Sequence, residues 1–296
     1  MNYPKVSIIV VNWNDKSNTI ECIDSIASLD YPNYDIIVVD NGSTDGSQKT
    51  VKEKFPNIIL IENNKNLGYG GGANAGIEVA IKKGSDYVFP LNNDLIVDKN
   101  LLKELIAVAE SDASIGMVCP KIYWYDDPRK ICYVGAQINF RSVIQLHRHM
   151  GDEIERGQYN RPMYVDAAGI FLVKKEVVEK VGVFDPNYFL YLEDFDWCIR
   201  TRKAGYKIMY VPDAVMWHKG SVSAGGRLRS KPIYYNTRNR FLLWKKNLKK
   251  SQFLLFLICF FNITVPIRTV YYLIILHKWK HLKAFLKGVI DGLKIL

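Results

Sequence analysis

The chain has 296 residues, 48% hydrophobic and 24% charged, which excludes a disordered protein and suits one large α/β domain with an appendage. Its net charge is +10, and five scattered cysteines without a CxxC pair argue against a disulfide framework or a zinc site and favour a reducing compartment. Because Met1 leads directly into an apolar run, we expect no signal peptide.

The first hundred residues alternate between short β-branched runs and helical stretches. The predicted strands are 6–12, 35–41, 57–63 and 87–93, and the predicted helices are 17–29, 47–55 and 71–83. This alternation predicts βαβ units, and therefore an α/β fold with a mostly parallel central sheet flanked by helices. Beyond residue 118 we expect hairpins within 133–149, a strand at 164–173, helices starting at 174 and near 193, and a strand at 207–218.

Asn or Asp stands at the end of each early strand, at Asn12, Asp40, Asn63 and Asn92 to Asp94. Ligands of open α/β sheets bind outside the carboxyl ends of the strands. Asn and Asp also start turns and cap helices, which is the ordinary explanation for any one of them. Four consecutive cases favour a shared polar crevice.

The segment NLGYGGGANAGI at 66–77 contains a G-x-G-x-x-A pattern through Gly68, Gly70 and Ala73. It follows the third strand rather than the first, so it is a weak dinucleotide fingerprint. Glycines before a helix let backbone N–H groups approach a phosphate, although a tight turn with positive φ would need them equally.

Two further residues are candidate metal ligands. Asp94 ends the fourth strand, where a carboxylate suits a hard divalent cation but can also cap a helix. His218 ends the 207–218 strand, and a lone histidine is more often structural.

The segment FLYLEDFDWCIR at 189–200 places Glu193, Asp194 and Asp196 among apolar side chains. Acids at the start of a helix complement its dipole. That reason does not explain the apolar setting, in which neighbouring carboxylates have raised pKa values and suit general-base catalysis. The cluster therefore favours a catalytic role.

Together these segments resemble the family 2 glycosyltransferases of the GT-A fold, in particular the rhamnosyltransferase-like branch, over residues 5 to about 240. The resemblance implies that Asp194 is the catalytic base, that Asp94 and His218 hold Mg²⁺ or Mn²⁺, and that Glu193, Asp196 and Gly169 lie at the acceptor side or behind it. It implies a set of donor-binding residues: Asn12, Asp40, Asn66, Gly68, Asn74, Asn92 and Asn93. Asn92 replaces the first Asp of the family's D-x-D, and an amide is a poorer metal ligand than a carboxylate.

The expected function is inverting transfer of rhamnose or a similar hexose from a nucleotide-diphospho-sugar to a hydroxyl of a glycan or glycolipid, in cell-surface polysaccharide synthesis. The alternatives are a non-catalytic membrane-bound carbohydrate or nucleotide-sugar binding protein and a sugar-phosphate nucleotidyltransferase. The latter would carry a glycine- and Lys/Arg-rich loop after the first strand, which NWNDKSN is not. A dinucleotide-dependent oxidoreductase would need its glycine loop one unit earlier.

From residue 227 onward the chain has 15 Lys or Arg and one acid, Asp291. This basic tail predicts an anionic partner, and the apolar run at 253–276 favours membrane over nucleic acid. Asn262, Pro266 and Arg268 interrupt the run, which favours two interfacial helices over one span; packing on the catalytic domain or a homodimer partner is the alternative. We expect a catalytic domain at 1–245, with halves 1–115 and 116–245, and helices at 246–296 that associate peripherally with the cytoplasmic face of the membrane.

Overall fold

The computed structural model describes residues 3–138, 147–150, 153–220 and 230–296, with backbone alone at 147–150 and 153. The chain divides into two compact units. The first is a mixed α/β unit made of Met1–Ala136, His149–Phe189 and Glu193–Ser223. The second is mainly helical and consists of Gln137–Arg148, Leu190–Leu192 and Ala224–Leu296.

Four parallel strands form one half of the sheet in the first unit. They are β1 (Val6–Asn12), β2 (Tyr34–Asp40), β3 (Ile59–Glu62) and β4 (Tyr87–Asn92), connected by α1 (Lys16–Ala27), α2 (Ser47–Lys54) and α3 (Gly68–Lys82). The strand order is β3–β2–β1–β4, with Asn12 beside Asp40 and Val11 beside Asn92. Every residue of β1 is buried, which explains its unbroken apolar sequence.

The other half of the unit begins with β5 (Leu95–Val97), α4 (Leu101–Glu110) and β6 (Ile115–Trp124). The elements that follow are β7 (Lys130–Tyr133), β8 (Gly135–Ile138), β9 (His147–Met150), β10 (Glu153–Ile154), β11 (Met163–Tyr164), β12 (Leu172–Lys174), α5 (Lys175–Val181), α6 (Glu193–Lys203) and β13 (Lys207–His218). Antiparallel β12 joins β4 to β6, and β13 runs parallel to β6 and antiparallel to β5. Strands β8 and β9 form a separate pair. The hairpins predicted over 133–149 lie partly outside the described residues.

The continuous strand predicted at 164–173 is wrong. Only its two ends are strands, β11 and β12. The intervening stretch is joined to β8 by one bridge between Ala136 and Ala167, and to β13 by a hydrogen bond from Val165 N–H to the Ile208 carbonyl oxygen at 3.1 Å. The small residues Ala167, Ala168 and Gly169 lie in this stretch, where Ala168 N–H donates to Cys198 Sγ on α6 at 3.4 Å. The stretch therefore packs on α6 rather than continuing a ladder.

The second unit contains α7 (Ser230–Asn247), α8 (Lys250–Cys259), α9 (Val265–Val270) and α10 (Trp279–Leu293), with π-helical segments at Phe260–Thr264 and Tyr271–Ile275. Helix α10 packs closely on α7 through two glycines. A Cβ on Gly288 would lie 2.7 Å from the Tyr234 carbonyl oxygen, and a Cβ on Gly292 would lie 2.4 Å from the Phe241 ring. The predicted boundary at residue 245 falls inside α7.

The two helices predicted within 253–276 are in fact one helix, Lys250–Ile275, of 26 residues. Pro266 lies directly after the π-helical segment Phe260–Thr264, and the altered hydrogen-bond pattern there lets the helix continue through a residue without an N–H. Asn262 remains compatible with the helix because its Nδ2 donates to the Ile258 carbonyl oxygen at 2.8 Å. By length and composition this helix could cross a membrane, and only 11% of its most apolar window is buried.

Candidate active site

The carboxyl ends of β1, β2 and β4 carry a buried polar network. Asn12 Nδ2 donates to Asp40 Oδ2 at 2.7 Å, and Asp40 Oδ1 accepts from Ser43 N–H at 2.8 Å and Gln48 Nε2 at 2.9 Å. Asn93 Nδ2 donates to Thr19 Oγ1 at 2.9 Å and to Asn12 Oδ1 at 3.3 Å. The prediction that Asn12, Asp40 and Asn93 lie together at one edge of the sheet is therefore confirmed.

This network forms a platform whose polar atoms largely satisfy one another. Asn12 and Asp40 are each about 1% exposed and Asn93 is 7% exposed. Asn92, the last residue of β4, is half-buried. Asn92 is thus the more accessible of the two, while Asp40 fixes the loop after β2.

The glycine segment begins helix α3 and does not form an open phosphate loop. Asn66 Oδ1 accepts from Gly68 N–H at 2.8 Å and closes the turn. Gly68 is buried with φ +77°, and a Cβ there would lie 2.1 Å from the Phe189 carbonyl oxygen. Tyr69 N–H already donates to that same oxygen at 2.8 Å. Gly68 is thus needed for the close approach of protein backbone, and its contact with a donor phosphate stays a prediction.

Asn74 is engaged by the backbone of a single residue. Its Nδ2 donates to the Phe184 carbonyl oxygen at 2.9 Å, and its Oδ1 accepts from Phe184 N–H at 3.1 Å. Such a paired contact fixes the 184 loop against α3. These contacts give Asn74 a structural role, and its contact with the donor stays a prediction.

Asp94 and His218 meet because β13 pairs with β5, placing His218 beside Leu95 in the register. The Nε2 atom of His218 lies 3.1 Å from Asp94 Oδ2, and Lys219 N–H donates to the Asp94 carbonyl oxygen at 3.0 Å. On its other side the imidazole Nδ1 lies 3.7 Å from Cys132 Sγ, and Trp124 stacks on the ring. The histidine is thus held from both edges and one face.

The pair suits a cation. Burial opposes the charge on His218, but the contacts with Asp94 and Cys132 outweigh burial and raise its pKa to about 10. The imidazole is therefore protonated at neutral pH, and a metal cation would bind it only by displacing that proton. Asp94 Oδ1 is buried and has no hydrogen-bond partner among the described residues. No group of three or more His, Cys, Asp or Glu that could hold a metal occurs within those residues. A metal here would need ligands from substrate or water.

The three acids at the start of α6 have different surroundings. Asp196 is fully buried; its Oδ2 pairs with Arg200 Nε at 2.7 Å and its Oδ1 accepts from the Tyr188 hydroxyl at 3.2 Å. Arg200 in turn donates to the carbonyl oxygens of Val181 and Val183 at 2.8 Å. Asp196 therefore anchors α6, which disfavours contact with an acceptor hydroxyl.

Glu193 is 5% exposed and lies behind α3, with its Cγ 3.7 Å from the position of a Cβ on Gly70. Its Oε2 has no hydrogen-bond partner among the described residues. Burial, and then the charge of Asp194, raise the pKa of Glu193 to about 8. The side chain is thus largely neutral at pH 7.

Asp194 is the partly exposed member of the cluster. Its Oδ1 accepts from Phe195 N–H at 2.8 Å, which fixes the carboxylate at the helix start. A Cβ on Gly169 would lie 3.4 Å from Asp194 Oδ2 and 3.8 Å from Tyr133 Cε1. The bare backbone at Gly169 therefore leaves room directly beside the second carboxylate oxygen.

The loop before α6 has an unusual backbone. Phe189, Tyr191 and Leu192 have φ values of +63°, +68° and +71°, which side chains with a Cβ rarely adopt. Within the second unit, Asn239 Nδ2 donates to the carbonyl oxygens of Leu190 and Tyr191, both at 2.8 Å. These hydrogen bonds hold the chain in the turn that leads into Glu193.

Three site residues were not predicted from the sequence: Tyr69, Cys132, and Tyr133, which lies beside Gly169. Burial raises the pKa of Tyr69, and the negative charges of Glu193, Asp194 and Asp94 raise it further. The ring therefore lies close enough to feel both the acids of α6 and Asp94. Burial and the charge of Asp194 likewise raise the pKa of Tyr133. The only sequence signal for Tyr69 was its position inside the glycine segment.

The parallel half-sheet, the polar ends of its strands and the two acidic groups define a nucleotide-diphospho-sugar transferase of the GT-A fold. Residues 7–182 match the model of glycosyl transferase family 2, and the chain belongs to that family. It is therefore a glycosyltransferase. Family membership favours this class over the nucleotidyltransferase, oxidoreductase and binding-protein alternatives.

Two curated relatives and one solved structure are similar to the chain. The N-acetylglucosaminyl-diphospho-decaprenol L-rhamnosyltransferase of Mycobacterium tuberculosis is 30% identical over 212 residues, covering 64% of this chain and 68% of the relative. The dTDP-rhamnosyl transferase of Shigella flexneri is 25% identical over 250 residues, covering 81% and 79%. A mannosyltransferase from Pyrobaculum calidifontis, solved with GDP-Man and Mn²⁺, superimposes with a TM-score of 0.59 at 15% identity, covering 99% of this chain and 88% of that one.

Proposed function

We propose that the protein transfers rhamnose or a similar hexose from a nucleotide-diphospho-sugar to a hydroxyl of a lipid-linked glycan, with inversion at the anomeric carbon. The names of the Mycobacterium and Shigella relatives support a rhamnosyl donor, and the former also supports a diphospho-lipid acceptor. The reaction would serve cell-surface polysaccharide synthesis.

One observation carries the assignment of the base. Of the three acids at the start of α6, Asp196 is buried in an ion pair and Glu193 is buried and largely neutral, whereas Asp194 is partly exposed beside Gly169. A general base must reach the proton that it removes. Asp194 would accept the acceptor hydroxyl proton as the oxygen attacks the anomeric carbon.

Asp94 and His218 would hold Mg²⁺ or Mn²⁺ together with donor diphosphate oxygens. The support is the buried Asp94 Oδ1, which has no hydrogen-bond partner in the described part of the chain, and the neighbouring imidazole, which would ligate after losing its proton. Mn²⁺ is the ion present in the Pyrobaculum structure. When bound, such a cation stabilises the negative charge of the leaving diphosphate. The protein's own part is to fix the backbone of Asp94, through the Lys219 N–H on its carbonyl oxygen, and the imidazole, through Trp124 and Cys132.

Donor contacts would come from Asn92, with the network of Asn12, Asp40 and Asn93 shaping the nucleotide pocket behind it. The acceptor lipid would be reached at the cytoplasmic face of a membrane, to which residues 246–296 bind peripherally. Exposed apolar side chains on the Lys250–Ile275 helix support this location, among them Ile267 at 61% and Ile274 at 60% exposure. A homodimer that covers the same face is the competing proposal for this surface.

The test is a transfer assay with dTDP-rhamnose, GDP-mannose and UDP-GlcNAc as donors and a GlcNAc-diphospho-lipid as acceptor. Asp194→Asn should lower kcat by about 10²–10⁴-fold while donor affinity stays unchanged, because the change removes basicity and little else. Asp126→Asn, on an exposed side chain in the same unit, is the matched control. Near-normal turnover by Asp194→Asn would eliminate Asp194 as the base, and turnover with none of the donors would contradict the proposed reaction.

A further inference from the structure

A cavity of about 210 Å³ lies within the second unit, among α7, α10 and the Lys250–Ile275 helix. Two arginines line it, Arg240 from α7 and Arg268 from α9. Phe260, Phe285 and Ile233 supply apolar walls. None of these residues belongs to the active site described above.

Among the residues that the structure describes, no acidic side chain pairs with either guanidinium group. Arg240 has no hydrogen bond or ion pair among the described residues, and Arg268 contacts only the Tyr272 hydroxyl, at 3.4 Å from its guanidinium nitrogen. The one acid after residue 227, Asp291, already binds the Tyr234 hydroxyl at 2.9 Å and Lys294 at 3.0 Å. Burial, and then the charge of Arg268, lower the pKa of Arg240. A bound anion would offset both the burial of the Arg240 charge and its repulsion by Arg268.

The geometry selects a phosphate-bearing anion. Arginine is the side chain whose planar fork binds phosphate with two parallel hydrogen bonds, and two such forks face one small cavity. The Tyr272 hydroxyl, on the same wall, adds a neutral donor. A carboxylate is satisfied by one guanidinium group, whereas two guanidinium groups line this cavity.

The surroundings select a lipid as the bearer of that phosphate. Arg268 lies on the helix whose outward face exposes Leu254, Ile258 and Ile267 by more than half. Aromatic and aliphatic side chains line the remainder of the cavity. A ligand with a charged phosphate and an apolar chain would satisfy both surfaces, whereas free phosphate would satisfy only the arginines.

We propose that Arg240 and Arg268 bind the phosphate or diphosphate group of a membrane lipid. If the protein has the proposed function, the lipid bound here is the carrier of the acceptor glycan. Only this identification of the lipid rests on the proposed function. Binding itself does not depend on transfer, so the test below separates the two: failure of the transfer assay leaves the binding result intact, and failure of binding leaves donor use intact.

The experiment is co-sedimentation of the full-length protein with three kinds of phosphatidylcholine vesicle. One kind contains no added lipid, one contains a polyprenyl phosphate, and one contains phosphatidylglycerol at equal surface charge. The proteins compared are wild type, Arg240→Gln, Arg268→Gln, Arg240→Lys and, as a matched charge control on an exposed side chain of α10, Lys283→Gln.

Wild type should prefer the polyprenyl phosphate vesicles over those with phosphatidylglycerol. Each Arg→Gln change should weaken that binding by about 10-fold or more, because charge-assisted hydrogen bonds are lost. Arg240→Lys should recover part of the loss, and Lys283→Gln should alter both anionic vesicles equally and slightly. Unchanged melting temperatures confirm folding, and Arg268→Gln, on an exposed side chain, provides the test if Arg240→Gln does not fold.

Two results would overturn the proposal. One is equal binding of wild type and both Arg→Gln variants to polyprenyl phosphate vesicles. The other is arginine-dependent binding of inorganic pyrophosphate, measured by calorimetry, without any preference for the lipid phosphate, which would identify a site for a free anion.

Discussion

His218 Nε2 lies 3.1 Å from Asp94 Oδ2, although the two residues are 124 positions apart in the sequence. The contact depends on antiparallel pairing of β13 with β5, which places one strand end against the other. Two residues that are individually weak metal candidates thereby become one potential ligand pair.

Asp94→Ala should abolish the stimulation by Mn²⁺ of nucleoside diphosphate binding, because it removes the buried carboxylate of this pair. Calorimetric titration of the diphosphate with and without Mn²⁺ measures the effect. Asp98→Asn is the control and should keep full stimulation, because Asp98 lies at the other end of β5 from Asp94. Equal stimulation in Asp94→Ala and wild type would rule out Asp94 as a ligand.

Glu193→Gln should change how stability depends on pH. The native pKa of Glu193 is about 8 against an ordinary 4.5, so the native state retains a proton that the unfolded state releases between these values. This contribution to stability is complete below about pH 4.5 and declines as the pH rises through about 8. Gln cannot ionise, so the variant should gain melting temperature relative to wild type as pH rises from 5 to 8.5.

Thermal denaturation across that range checks the prediction. Glu78→Gln, on an exposed side chain of α3, provides the comparison for a carboxylate outside the site. A constant difference in melting temperature between Glu193→Gln and wild type at all pH values would mean that the buried carboxyl does not titrate in this interval.

Gly68→Ala should destabilise the protein more than Gly84→Ala. Both glycines have φ +77°, so alanine costs about 1–2 kcal/mol of backbone strain at either position. A Cβ at Gly84 meets nothing within 4 Å, whereas at Gly68 it would lie 2.1 Å from the Phe189 carbonyl oxygen. We expect about 1–3 kcal/mol of additional loss at Gly68, as for other overpacked sites, measured by urea denaturation. Equal losses would show that the Phe189 loop moves away freely.

Ile267→Glu combined with Ile274→Glu should release the protein from anionic vesicles. Each glutamate replaces a side chain about 60% exposed on the Lys250–Ile275 helix, so folding should be retained while burial of that face in lipid becomes costly. Tyr164→Glu, at 61% exposure in the first unit, is the matched control and should sediment as wild type does. If the double variant instead changes only the oligomeric state, as seen by light scattering, the face binds a second copy of the chain.

The regular half of the fold could be predicted because its signal is local. Strands β1 and β13 have the predicted bounds. In β1 the signal is the largely apolar run that a fully buried strand requires, and in β13 it is a mostly apolar run with buried residues at its centre. The stretch at 164–173 could not be predicted, because its apolar composition serves packing on α6 instead of pairing. The single helix at 250–275 was missed since its π-helical segments accommodate Pro266, which sequence rules treat as a break.

The residues of the candidate site could be predicted, but the different contacts that each of them makes could not. The acids of α6 were singled out together, yet only their surroundings distinguish them: Arg200 pairs with Asp196, Glu193 is buried beside Gly70, and Gly169 lies beside Asp194. Asn74 and Gly68 lie in the expected segment, but their contacts are with protein backbone that folds back from positions 184 and 189. Such long-range contacts leave no trace in local sequence.

The hydrogen bonds from Asn239 to Leu190 and Tyr191 have a consequence for protein engineering. The segment Leu190–Leu192 belongs to the helical unit although it immediately precedes Glu193 and Asp194 in the chain. A chimera that joins residues 1–223 of this chain to the tail of a relative would therefore separate a left-handed turn from the amide that holds it. Exchange of acceptor specificity between relatives should succeed only when the recombination unit includes residues 190–192, or when the incoming tail has an asparagine at the position of Asn239.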